Sequence, residues 1–260
     1  MQLSARDRTV LITGGSEGLG LATAIAYAKA GANVAIFARR QQQLDEASRK
    51  IAAAGNGRVC AVSCDVTSAA DLERGHATVL STLGGVDVLV NNAGKAQAFA
   101  FEGISDEVWQ SDIDLKLFAA IRLTRLVWPG MKERRWGRVI NVLNTFAKAP
   151  LPNTAPTSVT RAAGLALTKV LGTEGAPHNI LVNALLVGLI ESEQIVRFHA
   201  ASGSDKPYDE FVAGMGEKIP IGRIGRAEEF AGTALFLGSD AASYLTGTAI
   251  NVDGGSCPVT

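Results

Sequence analysis

Cysteine is scarce in this sequence, which contains only Cys60, Cys64 and Cys257. The set is odd in number and widely spread along the chain. Cys60 and Cys64 are an even number of positions apart in an apolar strand pattern, which places both on one face. Because unpaired cysteine is commonly buried, we expect reduced packing residues, with neither a disulfide nor a metal site.

The sequence also lacks an excess of charge of either sign, with 25 Lys plus Arg and 25 Asp plus Glu. No net field therefore draws the protein to nucleic acid or to an anionic membrane. The first residues enter a strand pattern without the basic start and apolar stretch of a signal peptide, and no apolar run reaches membrane-spanning length. We expect a cytoplasmic protein that binds neither nucleic acid nor membrane.

What the sequence has is alternation: short β-branched apolar runs are separated by longer amphipathic segments. This rhythm is typical of βαβ units around a parallel sheet that is buried on both faces. It predicts an α/β protein, a single-domain Rossmann fold over residues 1–260, whose doubly wound parallel sheet has about seven strands and helices on both faces. The predicted strands are 9–14, 33–38, 59–66, 86–94, 138–143, 181–186 and 249–252. The predicted helices are 18–30, 41–55, 68–83, 106–134, 154–175 and 227–237, with a looser stretch at 190–216.

A glycine-rich turn joins the first strand to the first helix. It reads Thr13-Gly14-Gly15-Ser16-Glu17-Gly18-Leu19-Gly20. Glycine allows positive φ and a close approach of the backbone to a pyrophosphate, which then lies on unpaired N–H groups at the positive end of the helix dipole. Because the turn directly follows the first strand and opens the first helix, it predicts dinucleotide binding.

Further motifs follow in order along the chain. They are the TGxxxGxG spacing of the turn, Asp65-Val66, Asn91-Asn92-Ala93-Gly94, Asn183, Tyr244-Leu-Thr-Gly247 and Asn251-Val-Asp253-Gly-Gly255. From residue 8 to about residue 256 the chain resembles the short-chain dehydrogenase/reductase family. The resemblance implies an NAD(P)-dependent oxidoreductase that acts on a small molecule and forms a homodimer or homotetramer.

The resemblance also assigns roles in cofactor binding. It implies that Asp65 and Val66 hold the adenine, and that Asn92, Ala93 and Gly94 line the ribose and nicotinamide. The segment from Val187 to Ser192 replaces the family's Pro-Gly-x-x-x-Thr, which holds the carboxamide and phosphates. Gly188 and Ser192 keep the flexibility and the hydroxyl of that segment, while loss of the proline loosens the turn.

Two arginines at the end of the second strand bear on the choice of dinucleotide. Arg39 and Arg40 stand where an acidic residue would accept hydrogen bonds from the ribose of NAD(H). A guanidinium can instead grip the 2′-phosphate through paired hydrogen bonds. We therefore expect NADP(H) to be preferred, with NAD(H) possible, since Glu17 stands where many NADP-using relatives carry a basic side chain.

The residues that catalyse the family's reaction differ at all four positions. By alignment of the flanking motifs, Asn144 replaces the serine and Thr157 the tyrosine, while Arg161 replaces the lysine and Lys116 the asparagine. None of Tyr27, Tyr208 and Tyr244 has a lysine four residues later. An aliphatic hydroxyl is a far weaker acid than a phenol, so Thr157 cannot supply the tyrosine's general acid catalysis, whereas Arg161 can still bind ribose hydroxyls.

Lys116 is the residue that could compensate. Burial and the like charge of Arg161 would lower its pKa, and it could then donate a proton, polarise an oxyanion or form an imine. Alternatively it faces solvent or forms a structural ion pair with Asp112. The sequence supports three hypotheses: an NADP(H)-dependent oxidoreductase with Lys116 as donor, a lyase or isomerase that uses Lys116, and a catalytically silent NADP(H)-binding protein.

Segment 190–216 corresponds to the substrate-covering part of the family. Its apolar and aromatic residues indicate either a substrate with hydrophobic surface or ordinary packing of a short helix; they are Ile195, Val196, Phe198, Tyr208 and Phe211. His199 in the same segment could be the missing acid, although the pattern favours a solvent-facing helix position because a lone histidine carries no information about a partner. The sequence predicts no metal site.

Overall fold

A computed structural model describes residues 3–260, and the side chains of all of these except Glu193 and Gln194. The predicted domain also included residues 1 and 2, which lie outside the described residues. The strands in chain order are β1 (Thr9–Thr13), β2 (Asn33–Ala38), β3 (Val59–Ser63), β4 (Val88–Asn91), β5 (Ala98–Phe99), β6 (Gly137–Asn144), β7 (Ala155–Pro156), β8 (Ile180–Val187) and β9 (Ala249–Val252). The helices are α1 (Gly18–Lys29), α2 (Gln41–Ala54), α3 (Ala69–Leu83), α4 (Asp106–Ile113), α5 (Ala119–Arg134), α6 (Thr157–Gly175), α7 (Glu193–Ala201), α8 (Tyr208–Gly216) and α9 (Ala227–Leu237).

Seven strands form one parallel sheet in the order β3-β2-β1-β4-β6-β8-β9. The predicted α/β fold is confirmed. The chain runs outward from β1 through β2 to β3 and then restarts on the other side of β1 with β4. This reversal opens a crevice at the carboxyl ends of β1 and β4, which is where doubly wound sheets bind ligands.

Successive residues of the central strands point to opposite faces of the sheet and pack into two separate hydrophobic cores. Val10 and Ile12 of β1 pack with α1, α2 and α9 on one face, whereas Leu11 packs with α3 and α5 on the other. Cys60 and Cys64 both belong to the second core and are unpaired, so their predicted common face is confirmed. Strands buried on both faces explain the continuous apolar runs of the sequence.

Three predicted segments differ from the structure. The predicted helix 106–134 is interrupted by a π-helical segment, Asp114–Phe118, between α4 and α5. The predicted helix 154–175 begins at Thr157, because Ala155 and Pro156 pair instead with β5 in a small antiparallel sheet. The loose stretch 190–216 contains α7 and α8, whose apolar residues form a satellite core with Ile219 and Ile224.

Within the part of the chain that the structure describes, every helix is too short or too polar to cross a membrane.

Candidate active site

The glycine turn lies at the carboxyl end of β1 and is tied to the end of β4. Gly14 has φ +65°, and a Cβ atom at Gly20 would fall 2.1 Å from the Gly14 carbonyl oxygen. The Thr13 hydroxyl accepts hydrogen bonds from the backbone N–H groups of Asn92 and Ala93, at 3.0 and 2.9 Å. The Asn92 side-chain amide donates to the Thr13 carbonyl at 2.9 Å. Thr13, Gly14 and Asn92 therefore form one braced unit at the crevice.

The first turn of α1 is open toward the same crevice. Glu17 at its start makes no side-chain cap, and the first turn, which includes Gly18, Leu19 and Gly20, carries no acidic residue. The helix thus keeps unpaired N–H groups and an uncancelled positive end beside Ser16. These features suit a bound phosphate group.

The two arginines after β2 are in different situations. Arg40 Nη2 pairs with Glu17 Oε1 at 2.8 Å, whereas the exposed Arg39 side chain has no hydrogen-bond or ion-pair partner among residues 3–260. Asp65 uses Oδ1 to accept from the backbone and hydroxyl of Thr67, and Val66 is buried. Arg39 is therefore the cation of this pair that remains available to a ligand.

The π-helical segment places Lys116 inside the protein. Its side chain is completely buried, and Nζ donates to Asp112 Oδ1 and, at 2.6 Å, to Thr157 Oγ1. The ion pair with Asp112 that the sequence offered as an alternative is thus present. The solvent-facing alternative is wrong, and the same amine contacts Thr157, the residue predicted to stand at the family's tyrosine position.

Thr157 is held by a second element. Its hydroxyl oxygen accepts from the backbone N–H of Gln97 at 3.1 Å, and its own backbone N–H donates to the Gln97 carbonyl at 3.2 Å. A hydroxyl has two lone pairs and one hydrogen. Lys116 and Gln97 occupy both lone pairs, so the hydrogen of Thr157 is left to donate.

Arg161 lies one helical turn after Thr157 and beside Gly94. Nη1 donates to the Val142 carbonyl, and a Cβ atom at residue 94 would fall 2.7 Å from Nη2. Burial lowers the pKa of Arg161 to about 10, an effect that the charge of Asp112 opposes. The guanidinium thus remains a cation at neutral pH, next to the NNAG motif.

Asn144 ends β6, on the side of the sheet that carries the crevice. Its side-chain oxygen is buried and accepts no hydrogen bond from any residue in the described part of the chain. An unsatisfied buried polar group costs about 1–3 kcal/mol, so native proteins keep few of them. The side-chain oxygen of Gln97 is in the same state, which the sequence patterns did not indicate.

The charges around Lys116 act in opposite directions. Burial lowers the pKa of Lys116 to about 8, the hydrogen bond and charge of Asp112 raise it, and Arg161 and Lys95 lower it further. The direction expected from the sequence is confirmed, although burial outweighs the like charge as its cause. An amine with a pKa near neutrality can exchange protons during a reaction.

The segment from Gly188 onward follows directly after β8. Gly188 donates its N–H to Val252 at the end of β9, and Ser192 precedes α7. A cavity of about 600 Å³ lies beside α7 and α8, lined in part by Leu189, Phe198 and Phe211. Val196 and Phe198 are exposed, while Ile195 is buried.

His199 does not join the Lys116 cluster. Its Nε2 lies 2.8 Å from the Lys206 carbonyl oxygen, and its ring packs against Tyr208 and Phe211. His199 therefore belongs to the packing of α7 against α8. Within the described residues, no group of three or more His, Cys, Asp or Glu side chains is arranged to hold a metal ion.

Several known proteins are similar to this chain in sequence and in fold. Residues 14–257 match the family model of enoyl-(acyl carrier protein) reductase. Dehydrogenase/reductase SDR family member 4 of Homo sapiens is 36% identical over 251 residues, which cover 96% of this chain and 87% of that protein. L-Sorbose reductase from Gluconobacter frateurii, solved with NADPH and L-sorbose, has a TM-score of 0.96 and 33% identity, with 100% of both chains covered. An NADPH-bound short chain oxidoreductase from Pseudomonas aeruginosa PAO1, described as containing an atypical catalytic center, has a TM-score of 0.92 and 32% identity and covers 99% of this chain and 100% of its own.

Proposed function

This chain belongs to the short-chain dehydrogenase/reductase family and is an oxidoreductase of that type, and from this premise we propose that it uses NADP(H) to interconvert a carbonyl compound and an alcohol. The contact of the buried Lys116 amine with the Thr157 hydroxyl carries the proposal. Through this contact Lys116, whose pKa is close to neutrality, can supply a proton to Thr157, the residue that replaces the family's tyrosine.

The cofactor part of the proposal rests on the fit of the crevice. The glycine turn is tightly folded, since a Cβ atom at Gly20 would fall 2.1 Å from the Gly14 carbonyl oxygen, and α1 presents an open positive end. Arg39 has its charge free for a 2′-phosphate, while Glu17 occupies Arg40. Two structural relatives bind NADPH, which supports NADP(H) over NAD(H). The rest of the cofactor site would be formed by the residues that the family resemblance assigns to it: Asp65, Val66, Asn92, Ala93, Gly94, Arg161, Gly188 and Ser192.

When bound, NADPH would supply the hydride that reduces the carbonyl carbon of the substrate. The Thr157 hydroxyl, whose lone pairs are taken by Lys116 and Gln97, donates its hydrogen to the carbonyl oxygen. Lys116 passes a proton to Thr157 Oγ1 in the same event and becomes a neutral amine, so no free alkoxide forms. Arg161 and the Asn144 amide act as partners of the developing negative oxygen.

The substrate is proposed to be a small molecule with hydrophobic surface. Phe198 of segment 190–216 is exposed and lines a cavity of about 600 Å³, and Val196 is exposed on the same helix. The proposed role of this segment is to cover the substrate. The cytoplasmic location and the homodimer or homotetramer stay predictions from the sequence.

The test is Lys116→Met, assayed with NADPH against L-sorbose and a panel of aromatic and aliphatic ketones and aldehydes. We expect reduction by the wild type and a loss of about 10²–10⁴-fold in rate in the variant, the usual contribution of a general acid. NADPH affinity, measured by calorimetry, should stay close to the wild-type value.

Lys132→Met is the matched control, because Lys132 is exposed near the end of α5. It removes the same charge from the last turn of α5, away from the site. Full activity in Lys116→Met, or the absence of any reduction by wild-type protein that binds NADPH, would contradict the proposal.

A further inference from the structure

Asp112 is a carboxylate without any exposed surface. Removing an ionised carboxylate from water is costly unless the charge is paired and its oxygens are hydrogen-bonded. Both oxygens of Asp112 are used: Oδ1 accepts from Lys116 Nζ, and Oδ2 accepts from the Thr160 hydroxyl at 2.6 Å. Because Thr160 lies on α6 and Asp112 on α4, the carboxylate is fixed by two elements.

We propose that Asp112 is a positioning residue that holds Lys116 as a charged donor aimed at Thr157. The inference rests on the proposed function, since it names what controls the proposed acid. It differs from a purely structural ion pair in one respect: the pair should govern the charge state of Lys116 as well as the packing of α4 against α6.

Three charged groups act on the Lys116 amine. They are Asp112 from its own helix, Arg161 from α6 and Lys95 from the loop after β4. Asp112 is the anion among them, so it alone favours the ammonium form. Without it, the buried amine would face two cations and would lose its proton at a lower pH.

The hydrogen-bond count supports the same role. An ammonium has three N–H donors. Asp112 and Thr157 take two of them, and no other acceptor for Lys116 lies among residues 3–260. Asp112 thereby fixes the rotation of the amine, so that one donor meets Thr157.

The experiment is a titration of Lys116 by NMR in full-length protein labelled with ¹³C-lysine, in which Lys116→Met identifies the resonance. Asp112→Asn keeps the shape and an acceptor oxygen but removes the charge. We expect the pKa of Lys116 to fall by about 1–3 units, the usual effect of a neighbouring opposite charge. The basic limb of the pH–rate profile for carbonyl reduction should move by the same amount.

Asp114→Asn is the matched control, two residues away in the π-helical segment. Asp114 is half-buried and faces Gln110 and Arg122. It should leave the pKa of Lys116 at the wild-type value. If Asp112→Asn shifts that pKa no more than Asp114→Asn does, Asp112 serves packing alone and the inference is overturned.

If Asp112→Asn does not fold, the double variant Asp112→Asn with Lys116→Met shows whether the unpaired charge of Lys116 is the cause. Recovery of folded protein would show that the unpaired Lys116 charge caused the failure and would support the pairing. An unfolded double variant would place Asp112 in the fold itself and overturn the inference. Because the titration needs no turnover, a wild type that reduces no carbonyl counts against the proposed function and leaves the Asp112 result to stand by itself.

Discussion

A lysine ammonium is strongly hydrated, so its transfer to the protein interior favours the neutral amine. Lys116 is buried with one anion, Asp112, and two nearby cations, Arg161 and Lys95, and its pKa settles at about 8. A nearby cation lowers the pKa of a tyrosine phenol toward neutrality. Burial lowers the pKa of the Lys116 amine into a similar range, so two different physical causes can give a proton donor whose pKa suits general acid catalysis.

The pH dependence of reduction follows from this value. The ammonium is the form that donates, and it predominates below a pH of about 8. We expect the rate of carbonyl reduction to be constant at low pH and to fall about tenfold per pH unit above that value. Alcohol oxidation needs the neutral amine and should rise through the same pH. A flat profile for reduction between about pH 6 and about pH 10 would rule out Lys116 as the acid.

Substitutions of Thr157 test whether the proton passes from Lys116 to the substrate through the Thr157 hydroxyl. Thr157→Val keeps the shape but removes the hydroxyl that accepts from Lys116 and Gln97. We expect a fall of about 10²-fold or more in the rate of reduction, with NADPH affinity unchanged. Thr157→Ser keeps the hydroxyl and should retain most of the activity. Equal rates for the two variants would mean that Lys116 protonates the substrate directly.

At the scale of the element, the turn between β1 and α1 shows two different demands on glycine. Gly20 lies against the Gly14 carbonyl oxygen, where a Cβ atom would be only 2.1 Å away. Gly18 has φ +55° but nothing within 4 Å of a Cβ position. Within the chain itself, Gly20 requires space, whereas Gly18 requires a backbone conformation.

The two alanine variants should therefore behave differently. Gly20→Ala forces the turn open and should remove measurable NADPH binding in calorimetry. Gly18→Ala should cost roughly 1–2 kcal/mol in the free energy of unfolding, from the left-handed conformation alone, and should still bind NADPH. Chemical denaturation measures the second quantity. Similar NADPH affinities in the two variants would show that the turn does not cradle the cofactor.

At the scale of the whole molecule, α6 leaves an apolar stripe on the surface. Val159 and Val170 are 54% and 53% exposed and lie on one face of the helix, three turns apart, with Ala163 and Ala166 between them. The other face of α6 packs against β6 and β8. An exposed stripe of this kind is typical of a subunit interface.

We expect Val170→Arg to weaken the homo-oligomer predicted from the sequence, because the guanidinium would be buried without a partner. Sedimentation velocity should show the wild type as a dimer or tetramer and the variant as a smaller species. Leu80→Arg on α3 makes the same change at another exposed apolar residue and should leave the assembly intact. A monomeric wild type would contradict the prediction.

The sequence by itself determined the sheet and the glycine turn, because both depend on local periodicity and spacing, while the family resemblance implied the alignment of residues 116, 144, 157 and 161 with the catalytic positions. The tertiary structure alone decided that Ala155 and Pro156 leave α6 to pair with β5, and that a π-helical segment carries Lys116 inward. It also decided that Lys116, 41 residues before Thr157 in the chain, meets both Thr157 and Asp112. Such meetings depend on how helices pack against a common sheet, and hydrophobic periodicity records which face of a helix is buried but not which polar atoms of two buried faces come into contact.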